Sequence, residues 1–171
     1  MIQNNQVALK KFSEEDRDFY TRIYTDKALM KHITKPLDKA DCHRCFDLVL
    51  KRMDDKDFTL NMYVILDKKT TDKVGMISLR PIADAMHLCE IGVIILKPYQ
   101  RQGLAHSAKS LLIKTAFKDS KTVKIIAICD GLNTAANQAN MKLGFKKENE
   151  FLDRNDNITK IKWQITQQDI Q

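Results

Sequence analysis

The sequence predicts one α/β domain, in the broad sense that includes α+β folds, over residues 1–171. A chain of 171 residues falls within the size of a single domain and can bury a core without disulfides or metals. Stretches with strand and helix patterns alternate along it, which favours helices packed on a mixed sheet. One stretch, 123–129, is apolar at nearly every position, as in a central strand covered on both faces. We therefore expect a mixed sheet of about seven strands flanked by about four helices.

The first half of the chain is expected to form a strand, two helices and a hairpin. Ser13 precedes three acidic residues, which is typical of a helix N-cap and first turn. A polar stretch at 67–73 separates two apolar runs and predicts the turn of the hairpin. The expected elements are a strand at 6–11, helices at 13–24 and 38–53, and strands at 58–66 and 74–79.

The second half is expected to alternate strands with helices and to close with a hairpin. Gly144 follows a short helical pattern and is a normal stop for it. The expected elements are a strand at 86–96, a helix at 103–118, a strand at 123–129, a helix at 134–143, and strands at 145–151 and 158–165.

Composition narrows the functional classes. The formal net charge is +7, but the lysines are scattered and form no basic run, so nucleic-acid binding is an alternative that we do not favour. We expect no membrane association and a cytoplasmic location, because the chain has neither a long apolar segment nor a signal-peptide pattern. The four cysteines include one CxxC pair, Cys42 and Cys45, without a second ligand pair, so we expect reduced thiols and no metal.

A glycine turn between a strand and a helix is the most informative stretch. Residues 100–105 read Gln-Arg-Gln-Gly-Leu-Ala and follow the apolar strand at 86–96. The first N–H groups of a helix have no helical partner, and the helix dipole adds positive charge there. Gly103 has no Cβ, so an anion can approach the main chain closely. The stretch therefore predicts a phosphate site, although a plain structural turn has the same pattern.

This turn resembles motif A of the GNAT superfamily of N-acetyltransferases, in which Gln or Arg is followed by two variable residues, Gly, one variable residue and Gly or Ala. Residues 133–145, from Asn133 to the Lys-Leu-Gly-Phe ending at Phe145, are similar to a second stretch of that family. Residues 24–33 are similar to a stretch of the branch that acetylates ribosomal-protein N-termini, the Rim-like branch. The resemblance covers nearly the whole chain. It implies a GNAT fold with a mixed, mostly antiparallel sheet whose central strands splay apart.

The resemblance implies a site for acetyl-CoA. Its diphosphate is expected on the turn and helix start, and its pantetheine arm along the preceding strand. Asn133 matches the residue that contacts the arm, and it is also a good helix cap. The diphosphate residues are Arg101, Gln102, Gly103, Leu104, Ala105 and His106. The arm residues are Val93, Ile94, Ile95 and Leu96, whose open main-chain groups are expected to bond the arm.

Two residues are candidates for the chemistry of acetyl transfer. The attacking amine must lose a proton, and Glu90 is the best candidate base, with a solvent-facing strand residue as the alternative. Family resemblance places a tyrosine acid at the position of Asn140, and asparagine cannot donate a proton in the same way. Coenzyme A thiolate is already a reasonable leaving group, so the departure does not exclude catalysis.

The leading hypothesis is acetyl transfer from acetyl-CoA to a primary amine, either a protein N-terminus or a small molecule, by a monomer or homodimer. The acceptor is expected between the first two helices and the last hairpin. Plain packing is favoured over ligand contact for the aromatic candidates His32, Tyr20, Tyr24, Tyr63, His87 and Trp163. The alternative hypothesis is a non-catalytic acyl-CoA-binding module on the same fold.

Overall fold

The structure, a computed structural model, describes residues 1–55, 60–82, 85–118 and 122–170. Within them eight strands form one sheet in the order β1-β2-β3-β4-β5-β6-β8-β7. Adjacent strands are antiparallel, except for β5 and β6, which run parallel. The strands are β1 Ile2–Gln3, β2 Val7–Lys11, β3 Asn61–Asp67, β4 Lys73–Ile82, β5 Ala85–Ile95, β6 Lys124–Asp130, β7 Lys146–Asp153 and β8 Ile158–Thr166.

Three of the described α-helices, α2, α3 and α5, begin at side-chain caps. Asp38 accepts a hydrogen bond from the N–H of Asp41 at the start of α3, and Asp26 accepts two at the start of α2. Gly144 has a φ of 88° and ends α5 in the left-handed conformation that glycine adopts easily. The α-helices are α1 Arg17–Thr25, α2 Lys27–Met30, α3 Lys39–Met53, α4 Leu104–Lys118 and α5 Thr134–Lys142. None of them is long and apolar enough to cross a membrane.

The two faces of the sheet carry separate cores. Helix α4 covers one face, where its Leu104 and Leu112 pack with Ile91 and Ile95 of β5. Helices α1 and α3 cover the other face near the N-terminal strands, around the fully buried Phe46. Side chains alternate between faces along a strand, so the even-numbered residues of β5, Glu90 among them, belong to the α1–α3 face.

The predicted fold class is confirmed, and most element boundaries agree within three residues. Two short elements, β1 and α2, were not predicted. The strand expected from residue 58 begins at Asn61, and residues 58–59 lie outside the described part of the chain. The expectation that 123–129 is covered on both faces is wrong for Ile128, whose side chain is 37% exposed. That exposure marks part of the sheet which the helices leave open.

Candidate active site

Strands β5 and β6 separate part-way along their length. They pair only over three register positions, from Leu88 opposite Lys124 to Glu90 opposite Ile126. Beyond those positions β5 continues to Ile95 and β6 continues to Asp130 without pairing to each other. Because the main-chain groups along this gap lack a neighbouring strand, the gap can accept an extended ligand as an added strand would.

The turn before α4 presents a set of main-chain donors at one end of the gap. Arg101 and Gly103 have φ values of 63° and 77°, which bend the chain sharply into the helix. The first recorded helical bond runs from the N–H of Ser107 to the carbonyl of Gly103. Within the described residues, the N–H groups of 101–106 have no acceptor. Main-chain donors grouped before and at a helix N-terminus are able to bind an anion such as phosphate.

The N-terminal segment holds this turn in place. The Nε2 of Gln6 donates to the carbonyl of Gln102 over 2.9 Å, and the Nδ2 of Asn4 donates to the Oγ of Ser107 over 3.0 Å. The first contact occupies a carbonyl of the turn and leaves the N–H groups free. These contacts were not predicted, because they join residues about a hundred positions apart.

Along β5, some main-chain N–H and carbonyl groups bond to β4, and the others point toward the gap. The expectation of an open main chain is wrong for Leu96, which donates its N–H to Val74 and accepts from the N–H of Tyr99, both over 2.9 Å. Since bonded and non-bonded pairs alternate in an antiparallel ladder, Ile94 also bonds toward β4. Val93 and Ile95 therefore face the gap. The carbonyl of Ile95 accepts from the Nε2 of Gln100 over 2.9 Å.

Glu90 lies at the closed end of the gap, on the α1–α3 face. Its carboxylate forms an ion pair with Arg80, the residue opposite it on β4, over 2.5 Å. The side chain of Glu90 is 25% exposed, so it is still reachable from solvent. The carboxylate of Glu90 is present at the gap as expected, but its ion pair with Arg80 was not predicted.

A second acid–base pair on the same face was missed by the sequence analysis. The Nδ1 of His32 lies 2.6 Å from the Oδ2 of Asp130, at the end of β6. Burial favours the neutral form of Asp130, but the contacts with His32 and the N–H of Leu132 outweigh it and hold the pKa of the carboxyl below its usual value. For His32, packing was favoured over ligand contact. Its contact with Asp130, which only the fold creates, makes it a candidate for proton transfer.

On the α4 side of the gap, α5 contributes two asparagines. Asn133 caps the helix by accepting from the N–H of Ala136 over 3.1 Å, so its expected capping role is confirmed. Asn140 is 1% exposed; it accepts from the Nζ of Lys109 and donates from its Nδ2 to the Sγ of Cys129 over 3.3 Å. Lys109 was expected only to add charge near the turn. Its burial against Asn140 was not predicted, because a lysine within an amphipathic helix normally faces solvent.

Packing explains two of the aromatic candidates. Tyr20 is 4% exposed and lies against Tyr24 and Phe46 in the core under α1 and α3. Trp163 is also buried, and its indole N–H donates to Asn137 over 2.8 Å. Within the described residues, no group of three or more His, Cys, Asp or Glu side chains is placed to hold a metal ion.

The family model of the acetyltransferase (GNAT) domain matches residues 6–146. The chain belongs to the GNAT acetyltransferase family. The gap between β5 and β6, the turn before α4 and helix α5 are therefore parts of a GNAT domain.

Solved GNAT structures share this fold over nearly their whole length. A GNAT-family acetyltransferase from Bacillus anthracis is 23% identical, with a TM-score of 0.82 and 98% of each chain covered. Spermidine N-acetyltransferase from Vibrio cholerae, in complex with CoA and spermine, is 19% identical, with a TM-score of 0.83 and coverage of 98% of this chain and 99% of that one. RimL, a ribosomal L7/L12 alpha-N-protein acetyltransferase in complex with coenzyme A, is 15% identical, with a TM-score of 0.83 and coverage of 98% and 97%.

At these identities the likeness shows the fold, and the relatives act on different amines. No curated protein sequence matches the chain. The substrate of this GNAT domain therefore has to be argued from its own residues.

Proposed function

We propose that the protein transfers the acetyl group of acetyl-CoA to a primary amine, by direct attack of the amine within a ternary complex. The observation that carries the proposal is the set of free N–H groups at 101–106, which opens onto the gap between β5 and β6. A diphosphate bound at this turn directs the pantetheine arm along Val93 and Ile95, whose main-chain groups face the gap. Asn133 keeps its Nδ2 for the arm while its Oδ1 caps α5.

The reaction needs a base on the acceptor side of the sheet. Glu90 takes the amine proton, directly or through water, as the nitrogen attacks the thioester carbon. The ion pair with Arg80 holds the carboxylate in place. His32, held by Asp130, is the second base on this face and the alternative that mutagenesis must separate from Glu90.

The acceptor is a protein N-terminus or a small-molecule amine. Residues 24–33, with their resemblance to the Rim-like branch, support an N-terminal amine, and His32 of this stretch lies beside the open end of β6. The likeness to spermidine N-acetyltransferase supports a polyamine equally well. We place the enzyme in the cytoplasm, where acetyl-CoA and both kinds of acceptor occur, as a monomer or homodimer.

One observation favours a second candidate function. Asn140 stands where the family resemblance places the tyrosine acid, so the same fold can serve as a non-catalytic module that binds acyl-CoA. Such a module needs the turn at 101–106 and has no need of Glu90.

An amine panel distinguishes these functions. The purified protein is incubated with acetyl-CoA and N-terminal peptides, polyamines or aminoglycosides, and the acetylated product is detected by mass spectrometry. The protein carries four cysteines, so product mass is a cleaner readout than a thiol reagent. We expect acetylation of at least one amine class. Saturable binding of coenzyme A without any acetylated product supports the module, and failure to bind coenzyme A refutes both functions.

A further inference from the structure

One lysine amino group lies inside the protein. Lys109, in the second turn of α4, is 5% exposed. Its Nζ donates to the Oδ1 of Asn140 and lies 5.1 Å from the centre of the Phe145 ring. No carboxylate of the described residues forms an ion pair with it. A buried amino group without a counter-ion costs stability, so its retention calls for a role other than stability.

The charge on Lys109 determines the orientation of the Asn140 amide. An ammonium group only donates hydrogen bonds, so it must face the Oδ1 of the amide. The Nδ2 then points the other way, where the Sγ of Cys129 lies 3.3 Å from it. The Nδ2 has two hydrogens, so one is left for a further acceptor.

One member of this cluster of Lys109, Asn140 and Cys129 lies on the separated part of β6, namely Cys129. Cys129 lies three residues past Ile126, the last residue of β6 that pairs with β5. Those three residues correspond to about 10 Å along the separated part of the strand. Lys109 belongs to the helix whose first N–H groups form the anion site. A carrier that starts at that site and enters the gap therefore passes the cluster.

We propose that Asn140 donates a hydrogen bond to the sulfur of the coenzyme A leaving group, and that Lys109 orients this amide and supplies the positive charge that stabilises the thiolate. The inference rests on the proposed acetyl transfer. It assigns to a lysine–asparagine pair the task that the resemblance gives to a tyrosine.

The step is balanced without any further reactant. The amine nitrogen bonds to the thioester carbon, and the carbon–sulfur bond breaks with its electron pair on sulfur. The amine proton passes to the base on the acceptor side. The thiolate stays bound to the Nδ2 of Asn140 until it takes a proton from water. Asn140 contacts the reacting sulfur, whereas Lys109 acts through Asn140 and is a positioning residue.

The arrangement predicts a loss of activity at alkaline pH. Burial lowers the pKa of Lys109 to about 8, so the ammonium is charged below that pH and lost above it. The titratable group that faces it is the thiol of Cys129 on β6. Its other neighbours, Asn140 of α5 and Phe145, are neutral. Burial raises the pKa of Cys129, and the nearby Lys109 opposes that rise, so the thiol stays neutral while the lysine titrates.

Three variants test the pair. Lys109→Met keeps the length of the side chain without its charge, and we expect kcat to fall at least about tenfold. We expect its affinity for coenzyme A to stay near that of the wild type and its decline above pH 8 to disappear. Asn140→Asp gives Lys109 a carboxylate partner and removes the N–H donor, so the fold is retained while kcat falls about a hundredfold. The double variant K109L/N140Y installs a tyrosine, and we expect it to recover activity with an alkaline limb shifted toward about pH 10.

A binding measurement separates this inference from the proposed function. The ultraviolet absorbance of the thiolate of bound coenzyme A is followed against pH, with desulfo-coenzyme A as the blank. We expect the bound thiol to ionise at a lower pH in the wild type than in Lys109→Met. Identical titrations, or wild-type kcat and pH profile in Lys109→Met, overturn the role of Lys109. A thiol titration that shifts in a protein without any transferase activity refutes the proposed function alone.

Discussion

Two residue pairs on the α1–α3 face of the sheet show that the role of a single residue depends on the partner that the fold brings to it. Glu90 is apparent from the sequence as a carboxylate in an apolar strand, but its pairing with Arg80 depends on the register between β4 and β5. His32 and Asp130 are 98 positions apart and meet only in the folded protein. The sequence therefore predicts the presence of one base and gives no means to rank the two.

Substitution of each base ranks them. We expect Glu90→Gln to lower kcat by about a hundredfold with unchanged affinity for coenzyme A, because a positioned general base typically contributes that much. His32→Gln is the comparison, since it removes a base on the same face and leaves the Arg80–Glu90 pair intact. The measurement is kcat against pH with the best amine of the panel.

Two further results would identify the group that accepts the proton. If Glu90→Gln keeps full activity across the pH range while His32→Gln loses it, the base is His32 held by Asp130. A loss in Arg80→Met equal to that in Glu90→Gln indicates that the pair acts as a unit, since the carboxylate itself is retained in that variant.

At the scale of elements, long patterned stretches were predicted well and short ones were missed. Helices α3 and α4 have 15 residues each, enough for apolar spacing to repeat over several turns. Strand β1 has two residues and α2 has four, too few for any period to appear. The one available signal for α2 was Asp26, whose carboxylate caps it. The turn before α4 was predicted from Gly103, whereas the hydrogen bond from Gln6 to the carbonyl of Gln102 was not predicted.

Two glycines with the same backbone conformation isolate the role of this turn. Gly103 has a φ of 77° and Gly144 has a φ of 88°, and a Cβ at either position meets nothing closer than 3.7 Å. Alanine at either site therefore costs stability through the left-handed backbone alone, by about 1–2 kcal/mol. Only Gly103→Ala shifts the N–H groups of 101–106, so we expect it to weaken coenzyme A binding by at least about tenfold.

Calorimetric titration with coenzyme A measures the binding, and thermal unfolding measures the stability. Gly144→Ala is the matched control, with a similar stability loss and normal binding. Equal affinity in both variants would falsify the assignment of the anion site to this turn.

At the scale of the molecule, the sheet consists of two parts joined by a short contact. Strands β1–β5 form one part and β6, β8 and β7 form the other, and three parallel register pairs connect them. The gap opens where this contact ends, with α4 and its Lys109 on one face and the candidate bases Glu90 and His32 on the other. Alternation of strands and helices predicts the sheet, but the place where β5 and β6 part was expected only through the GNAT resemblance, because the apolar pattern of 123–129 continues through it.

A buried carboxylate at the start of α1, that of Asp16, pairs with the sheet and contributes to the acid stability of the protein. Asp16 is fully buried, and its Oδ1 lies 2.6 Å from the Nζ of Lys73 on β4. Its Oδ2 accepts from the N–H of Ser13 over 3.1 Å and lies 3.5 Å from Lys10 on β2. Burial opposes ionisation of Asp16, but these partners outweigh it and hold its pKa below the usual 3.8.

A carboxyl whose pKa is lowered on folding stabilises the protein above its unfolded pKa and loses that effect as the pH falls through its folded pKa. We therefore expect Asp16→Asn to lower the free energy of unfolding by about 2 kcal/mol at neutral pH, because it leaves Lys73 without its partner. The deficit should shrink below pH 3.8, where the wild type loses the same charge. Glu15→Gln is the control, since Glu15 faces the same Lys10 with a side chain 84% exposed and should cost less than about 1 kcal/mol. Urea unfolding at several pH values measures both variants, and a deficit for Asp16→Asn that persists unchanged in acid would show that packing, and not charge, joins this helix to the sheet.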